Sequence, residues 1–116
     1  MLFLMAMMLS ISAMAVGFNQ TQYLANQGHA SAQYNLGIMY SGGKGVRQDY
    51  AKAFEWYQKA ANQGQTGAQY NLGAMYYNGK GVRQNRKTAK EWFGKACDNG
   101  AQDGCDSYKI LNQIAY

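Results

Sequence analysis

Few residues of this 116-residue chain belong to the types that drive chemistry, and their spacing narrows the choices further. There are two cysteines, Cys97 and Cys105, and one histidine, His29. A zinc or dithiol redox centre needs C-x-x-C spacing or several sulfur and nitrogen donors that converge on one ion. The pair here is C-x7-C and His29 is remote in sequence, so no metal ligand and no cofactor is assigned. Ser41-Gly42-Gly43-Lys44 spells S-x-x-K, the serine–lysine pattern of β-lactamases and penicillin-binding proteins. That chemistry needs a serine that opens a helix aiming the lysine at it, with K-T-G and S-D-N elements nearby. Here all four residues read as part of a glycine-rich loop, and neither element is present. Lys44 and Lys80 are followed by Gly rather than Ser or Thr, and the segment before each reads as helix rather than strand, so these loops do not form a phosphate cradle. With a single histidine and six carboxylates, no nucleophile can be paired with a base, and no catalytic residue is nominated.

The elements that position these residues emerge from an internal repeat. Tyr34-Asn35-Leu36-Gly37 returns as Tyr70-Asn71-Leu72-Gly73, a period of 36 residues. At the same period Met39-Tyr40 becomes Met75-Tyr76, the run Gly43–Gln48 becomes Gly79–Gln84, and Glu55-Trp56 becomes Glu91-Trp92. Ala25–Gly28 matches Ala61–Gly64, so the end of an earlier, partial unit precedes the first full copy. After Cys105 the pattern fades, as terminal units of repeat arrays usually do. The expected organisation is a leader over residues 1–15 and a repeat domain over 16–116, with full units at 29–64 and 65–100 and partial ones at 16–28 and 101–116.

Each unit divides into two helices. Ala32, Leu36, Met39 and Tyr40, echoed by Ala68, Leu72, Met75 and Tyr76, lie at i, i+4, i+7 and i+8, one apolar helical stripe. Ala53, Trp56, Tyr57 and Ala60, echoed by Ala89, Trp92, Phe93 and Ala96, make the stripe of the partner helix. Small residues alternate with large ones, so an alanine on one helix leaves the hollow that an aromatic ring of its neighbour fills. Gly37 and Gly73 fall in mid-helix, where glycine costs about 1 kcal/mol relative to alanine; close helix contact is the expected compensation. Asp49 and Asn85 are placed as N-caps, and Gly28, Gly64 and Gly100 as left-handed turns that end second helices. Val46 and Val82 are expected to pin the intervening loops to the core.

The pattern A-x-Y-N-L-G-x-M-Y, then G-K-G-V, then A-x-E-W-Y/F-x-K-A and a closing glycine resembles the Sel-like repeat of the Sel-one type, a relative of the tetratricopeptide repeat. The resemblance covers about Ala25 to Gly104. It implies an all-α fold, an α/α solenoid of antiparallel helix pairs, used as an adaptor for protein contacts and implying no reaction. On it, ligand lies on the concave face lined by the first helix of each pair, where Tyr34, Asn35, Tyr70 and Asn71 are the candidate peptide-binding residues. The Lys and Arg clamp by which some tetratricopeptide proteins hold a terminal carboxylate has no counterpart on these helices. The same residues belong to the structural signature of the repeat, so packing alone is the competing account of their recurrence. A second candidate surface is basic: Arg86, Lys87 and Lys90, of which Arg86 and Lys90 share a helix face and stand where the previous copy has Tyr50 and Phe54. Its competing account is a solvated face.

Cys97 takes the place of Ala61 and Cys105 that of Gln69, so the pair straddles a helix–turn–helix and a disulfide is expected between them. In an oxidising compartment it adds roughly 2 to 3 kcal/mol by constraining the unfolded chain. The K-A-C and G-C arrangement also resembles the secreted cysteine-rich branch of Sel-like proteins, some of which are associated with β-lactam hydrolysis or penicillin binding. That branch carries such a bridge in most repeats, whereas here one unit has it.

The compartment is inferred from Met1 to Ala15, an uncharged Leu- and Met-rich run closing on Ala13-Met14-Ala15, which reads as a signal peptide cleaved after Ala15. The competing reading is a membrane anchor, since apolar residues continue to Phe18, near the lower limit of the roughly 17 to 25 that span a bilayer. No lipid-attachment cysteine follows the run. The net charge of +5 would favour nucleic acid in a cytosolic protein. Export argues against nucleic acid and for acidic proteins, cell-wall carboxylates or anionic head groups. Two functions follow for a periplasmic or secreted protein: an adaptor that binds a protein or peptide, and a cell-wall-directed protein that binds or hydrolyses peptidoglycan or its β-lactam mimics.

Overall fold

The computed structural model describes residues 17–114; the apolar leader, its cleavage point and Val16 lie outside the described residues. Six helices and no strand occur among them: α1 over 17–26, α2 Ala30–Gly42, α3 Tyr50–Asn62, α4 Thr66–Asn78, α5 Arg86–Asp98 and α6 Gln102–Gln113. Each packs on the next in order, giving the α/α array of helix pairs expected from the repeat. First helices of the units are α2, α4 and α6; second helices are α1, α3 and α5.

The helix starts follow from local chemistry. The Asp49 carboxylate accepts from the Lys52 amide and the Asn85 side chain from the Thr88 amide, each at 3.0 Å, satisfying a donor that the first turn leaves unpaired. Second helices end two residues before glycines in left-handed geometry, with φ of 88° at Gly64 and 95° at Gly100. Val46 and Val82 pack against the core as expected. One detail differs: Ser41 and Gly42 form the last turn of α2, so the loop starts at Gly43. Gly43 turns left-handed at φ 66° and its amide caps the Met39 carbonyl, which moves the stop two residues later than glycine clustering implies.

Helix pairing is set by a notch and a ring. A Cβ on Gly37 would stand 2.5 Å from the Tyr57 ring, and one on Gly73 would stand 2.6 Å from Phe93. Both glycines therefore let a second-helix aromatic lie directly on the backbone of the first helix, the close contact that offsets their helix penalty. Leu36 and Leu72 are fully buried, and Ala53, Ala60, Ala89 and Ala96 fill the layer between. Trp56 and Trp92 stay half-buried under their own lysines, Lys59 and Lys95, whose Nζ atoms sit 4.4 and 4.3 Å from the ring centroids.

Units are joined by buried glutamines. Gln33 Nε2 donates to the Ala25 carbonyl at 3.2 Å while its Oε1 accepts from Gln63 at 2.8 Å. Gln69 repeats this with the Ala61 carbonyl at 3.3 Å and Asn99 at 2.7 Å. At the third position Cys105 replaces the glutamine and is bonded to Cys97, with Cα atoms 4.5 Å apart, so the expected disulfide is present.

Candidate functional site

Where two successive first helices lie beside one second helix, three surfaces meet in a groove. Between α2 and α4 that groove is filled. The Tyr34 ring tilts against Tyr57, with centroids 6.0 Å apart, and lies over Gly67, where a Cβ would meet the ring at 2.8 Å. Ile38 packs against the core, and Ser41 Oγ lies 3.4 Å from the Tyr57 hydroxyl while donating to the Ile38 carbonyl at 3.3 Å. Burial raises the Tyr57 hydroxyl above the usual tyrosine pKa, against the opposing hydrogen bonds of the Ser41 and Asn71 side chains.

Between α4 and α6 the equivalent groove is open. Ala74 stands where Ile38 was, Phe93 replaces Tyr57, Tyr77 replaces Ser41 and Ser107 replaces Asn71. Ala74 and Ser107 are smaller than their counterparts while Tyr77 is larger, and a slot of about 300 Å³ lies here, lined chiefly by Tyr70, Ala74, Tyr77, Phe93, Ile110 and Leu111. Asp103 takes the place of Gly67, so the seat that receives Tyr34 is obstructed for Tyr70. Tyr70 packs on Phe93, with centroids 5.4 Å apart, and on its other side borders a second hollow of about 260 Å³ with Thr66, Gly67, Gln102 and Asp103.

The four candidate peptide-binding residues are thus distributed unequally. Tyr34 is held between two units, Asn71 is engaged with Tyr57, Asn35 is exposed, and Tyr70 lines both open hollows. Sequence reasoning missed Ala74, Phe93 and Ile110 as lining residues. The copies differ in both directions here, smaller at Ala74 and Ser107 and larger at Tyr77 and Ile110, so sequence comparison alone does not reveal the slot. The basic surface lies beside it. Arg86 and Lys87 are exposed and Lys90 is half-buried; the Arg86 guanidinium covers the Tyr77 ring at 5.6 Å and Lys90 Nζ the Tyr108 ring at 5.4 Å. Among the described residues no cluster of His, Cys, Asp or Glu is able to hold a metal, and no helix is long and apolar enough to cross a membrane.

A family model, the Sel1 repeat, matches residues 30–65 and 66–100. The chain belongs to the Sel1 repeat family. Solved structures agree. A Sel1 repeat protein from Oxalobacter formigenes is 37% identical with a TM-score of 0.81, over 84% of this chain and 28% of that one. A protective antigen present in uropathogenic Escherichia coli strains, displaying an SLR fold, is 34% identical with a TM-score of 0.82, over 84% of this chain and 21% of its own. Helicobacter pylori cysteine rich protein B is 34% identical with a TM-score of 0.74, over 77% of this chain and 67% of its own. The chain therefore spans about a quarter of the length of the first two. No curated protein matches it. Sel1 repeats generally serve as protein-interaction adaptors, typically non-enzymatic scaffolds.

Proposed function

We propose that the protein is an exported Sel1 repeat adaptor that holds a protein or peptide partner in the groove between α4 and α6. The observation that carries this reading is the open apolar slot at Tyr70, Ala74, Phe93 and Ile110, in a fold whose preceding groove holds Tyr34 against Tyr57 and Gly67. The slot lies at the lower end of the ~300 to 1,000 Å³ typical of ligand sites, room for one or two side chains of a partner. Export is supported by the apolar run ending in Ala13-Met14-Ala15 and by the Cys97–Cys105 disulfide, which persists in oxidising compartments.

Affinity capture from an envelope extract, read by mass spectrometry, compares the protein with an Ile110→Glu variant. Ile110 is 59% exposed, so this change leaves the core untouched. A protein enriched on the parent and lost on the folded variant is expected. Equal recovery on both overturns the groove assignment, and saturable sedimentation with purified peptidoglycan in place of any protein partner moves the function to the cell wall.

A further inference from the structure

The positive charge of the chain is not spread over its surface. Between Lys80 and Lys95 six cations face one acid, Glu91, whereas the matching segment of the first copy, Lys44 to Lys59, carries four cations and two acids. The excess arises on α5, where Arg86, Lys87 and Lys90 replace Tyr50, Ala51 and Phe54. In the first copy two of those positions pack on the next unit: Phe54 lies edge-on against Tyr76 with centroids 5.5 Å apart, and the Gly81 turn lies against the Tyr50 backbone. In the second copy the same positions carry charge. Arg86, Lys90 and Phe93 follow one another at i, i+4 and i+7, so one stripe of α5 runs from cations into the apolar floor of the slot. Arg86 and the slot share a wall, because the guanidinium lies over the Tyr77 ring that lines it. The opposite end differs in sign, since Asp103 borders the hollow beyond Tyr70.

We infer that the occupant of this groove is an acidic peptide segment carrying a large apolar side chain, which enters the slot between Ala74, Phe93 and Ile110 while adjacent carboxylates pair with Arg86 and Lys90. This rests on the adaptor reading and adds the chemistry and direction of the ligand: its carboxylates lie toward the C-terminal end of α4 and away from Asp103. The apolar residue supplies contact area, and the charges supply selection and rate of encounter. Arg86 is suited to the role because its planar fork stacks on Tyr77 and still offers donors to a carboxylate.

The test is fluorescence anisotropy of the full chain with three labelled ten-residue peptides: Glu-rich around a single Phe, the same with Lys for each Glu, and the Glu-rich peptide with Ser for Phe. Saturable binding of the first alone is expected, weakening with added salt. Arg86→Glu with Lys90→Glu lowers its affinity about tenfold, Ile110→Glu abolishes it, and both variants keep the parent helical circular dichroism. Equal binding of the Glu and Lys peptides removes the charge assignment, and equal binding of the Ser peptide removes the slot. Self-association of the parent that Ile110→Glu abolishes assigns the groove to a second copy and overturns the inference. If all three peptides fail while an extract protein is still captured in an Ile110-dependent way, the ligand chemistry is wrong and the adaptor reading stands; if that capture is lost too, both fall.

Discussion

The α3–α4 and α5–α6 junctions occupy the same place in successive units and are closed by different chemistry. At the first, Gln69 reaches the Ala61 carbonyl and is held by Asn99 from the following turn. At the second, the residues eight apart are Cys97 and Cys105, joined covalently. The glutamine solution is cooperative along the array: it uses an amide from the next unit, as Gln33 uses Gln63. The Cys97–Cys105 bridge is contained within its own junction. The lesson is that equivalent junctions of one repeat can be closed by hydrogen bonds that reach on to the next junction or by a covalent bond contained within one junction.

Breaking the covalent tie is expected to have the largest effect. Replacing both cysteines, Cys97→Ala with Cys105→Ala, should cost about 2.5 kcal/mol by the loop-entropy relation for a separation of eight residues. Urea unfolding with and without reductant checks it, since reductant should reproduce the loss in the parent and leave the variant unchanged. Pairing Cys97→Ala with Cys105→Gln instead should recover about 1 kcal/mol through one amide bond to the residue-97 carbonyl; no recovery would show that the two junctions are not equivalent.

Next in size is Gln69→Leu, expected to cost about 1 to 2 kcal/mol in the same assay. The loss is moderate because Ala61 keeps the bond its carbonyl receives from the Gly64 amide at 2.9 Å, and because exposed Asn99 can turn to water.

The smallest change sharpens the contrast between the filled and open grooves. Tyr57→Phe copies the Phe93 of the second unit and removes the hydroxyl near Ser41 and Asn71, costing about 1 kcal/mol or less at neutral pH. Burial keeps that hydroxyl protonated in the folded chain to higher pH than in the unfolded one, where tyrosine ionises near pH 10. Its contribution is therefore constant below about pH 10 and falls as pH rises above it, until the folded group also ionises. Thermal unfolding followed from pH 8 to pH 11 should show a shallower alkaline loss of Tm in the variant than in the parent.

The fold was legible to the level of individual caps because the signals are local and occur twice. Asp49 and Asn85 bond amides three residues on, and Gly64 and Gly100 adopt their left-handed angles through the chain around them. The candidate site was legible only in part. Tyr34 and Tyr70 carry the same motif, yet the first is clamped and the second borders two hollows, because the deciding residue lies on the following first helix: glycine at 67, aspartate at 103. Gln33 and Gln69 were missed because a polar residue usually reads as exposed, and both are buried ties.

By itself, then, the sequence determined the period, the helix pairs, their caps, the family and the bridge between Cys97 and Cys105, because each depends on chemistry within one unit or on its repetition. Tertiary structure alone decided which groove is filled and which is open, and that Arg86 shares a wall with the slot. Those outcomes depend on volumes contributed by three helices at once, and no stretch of chain holds all three.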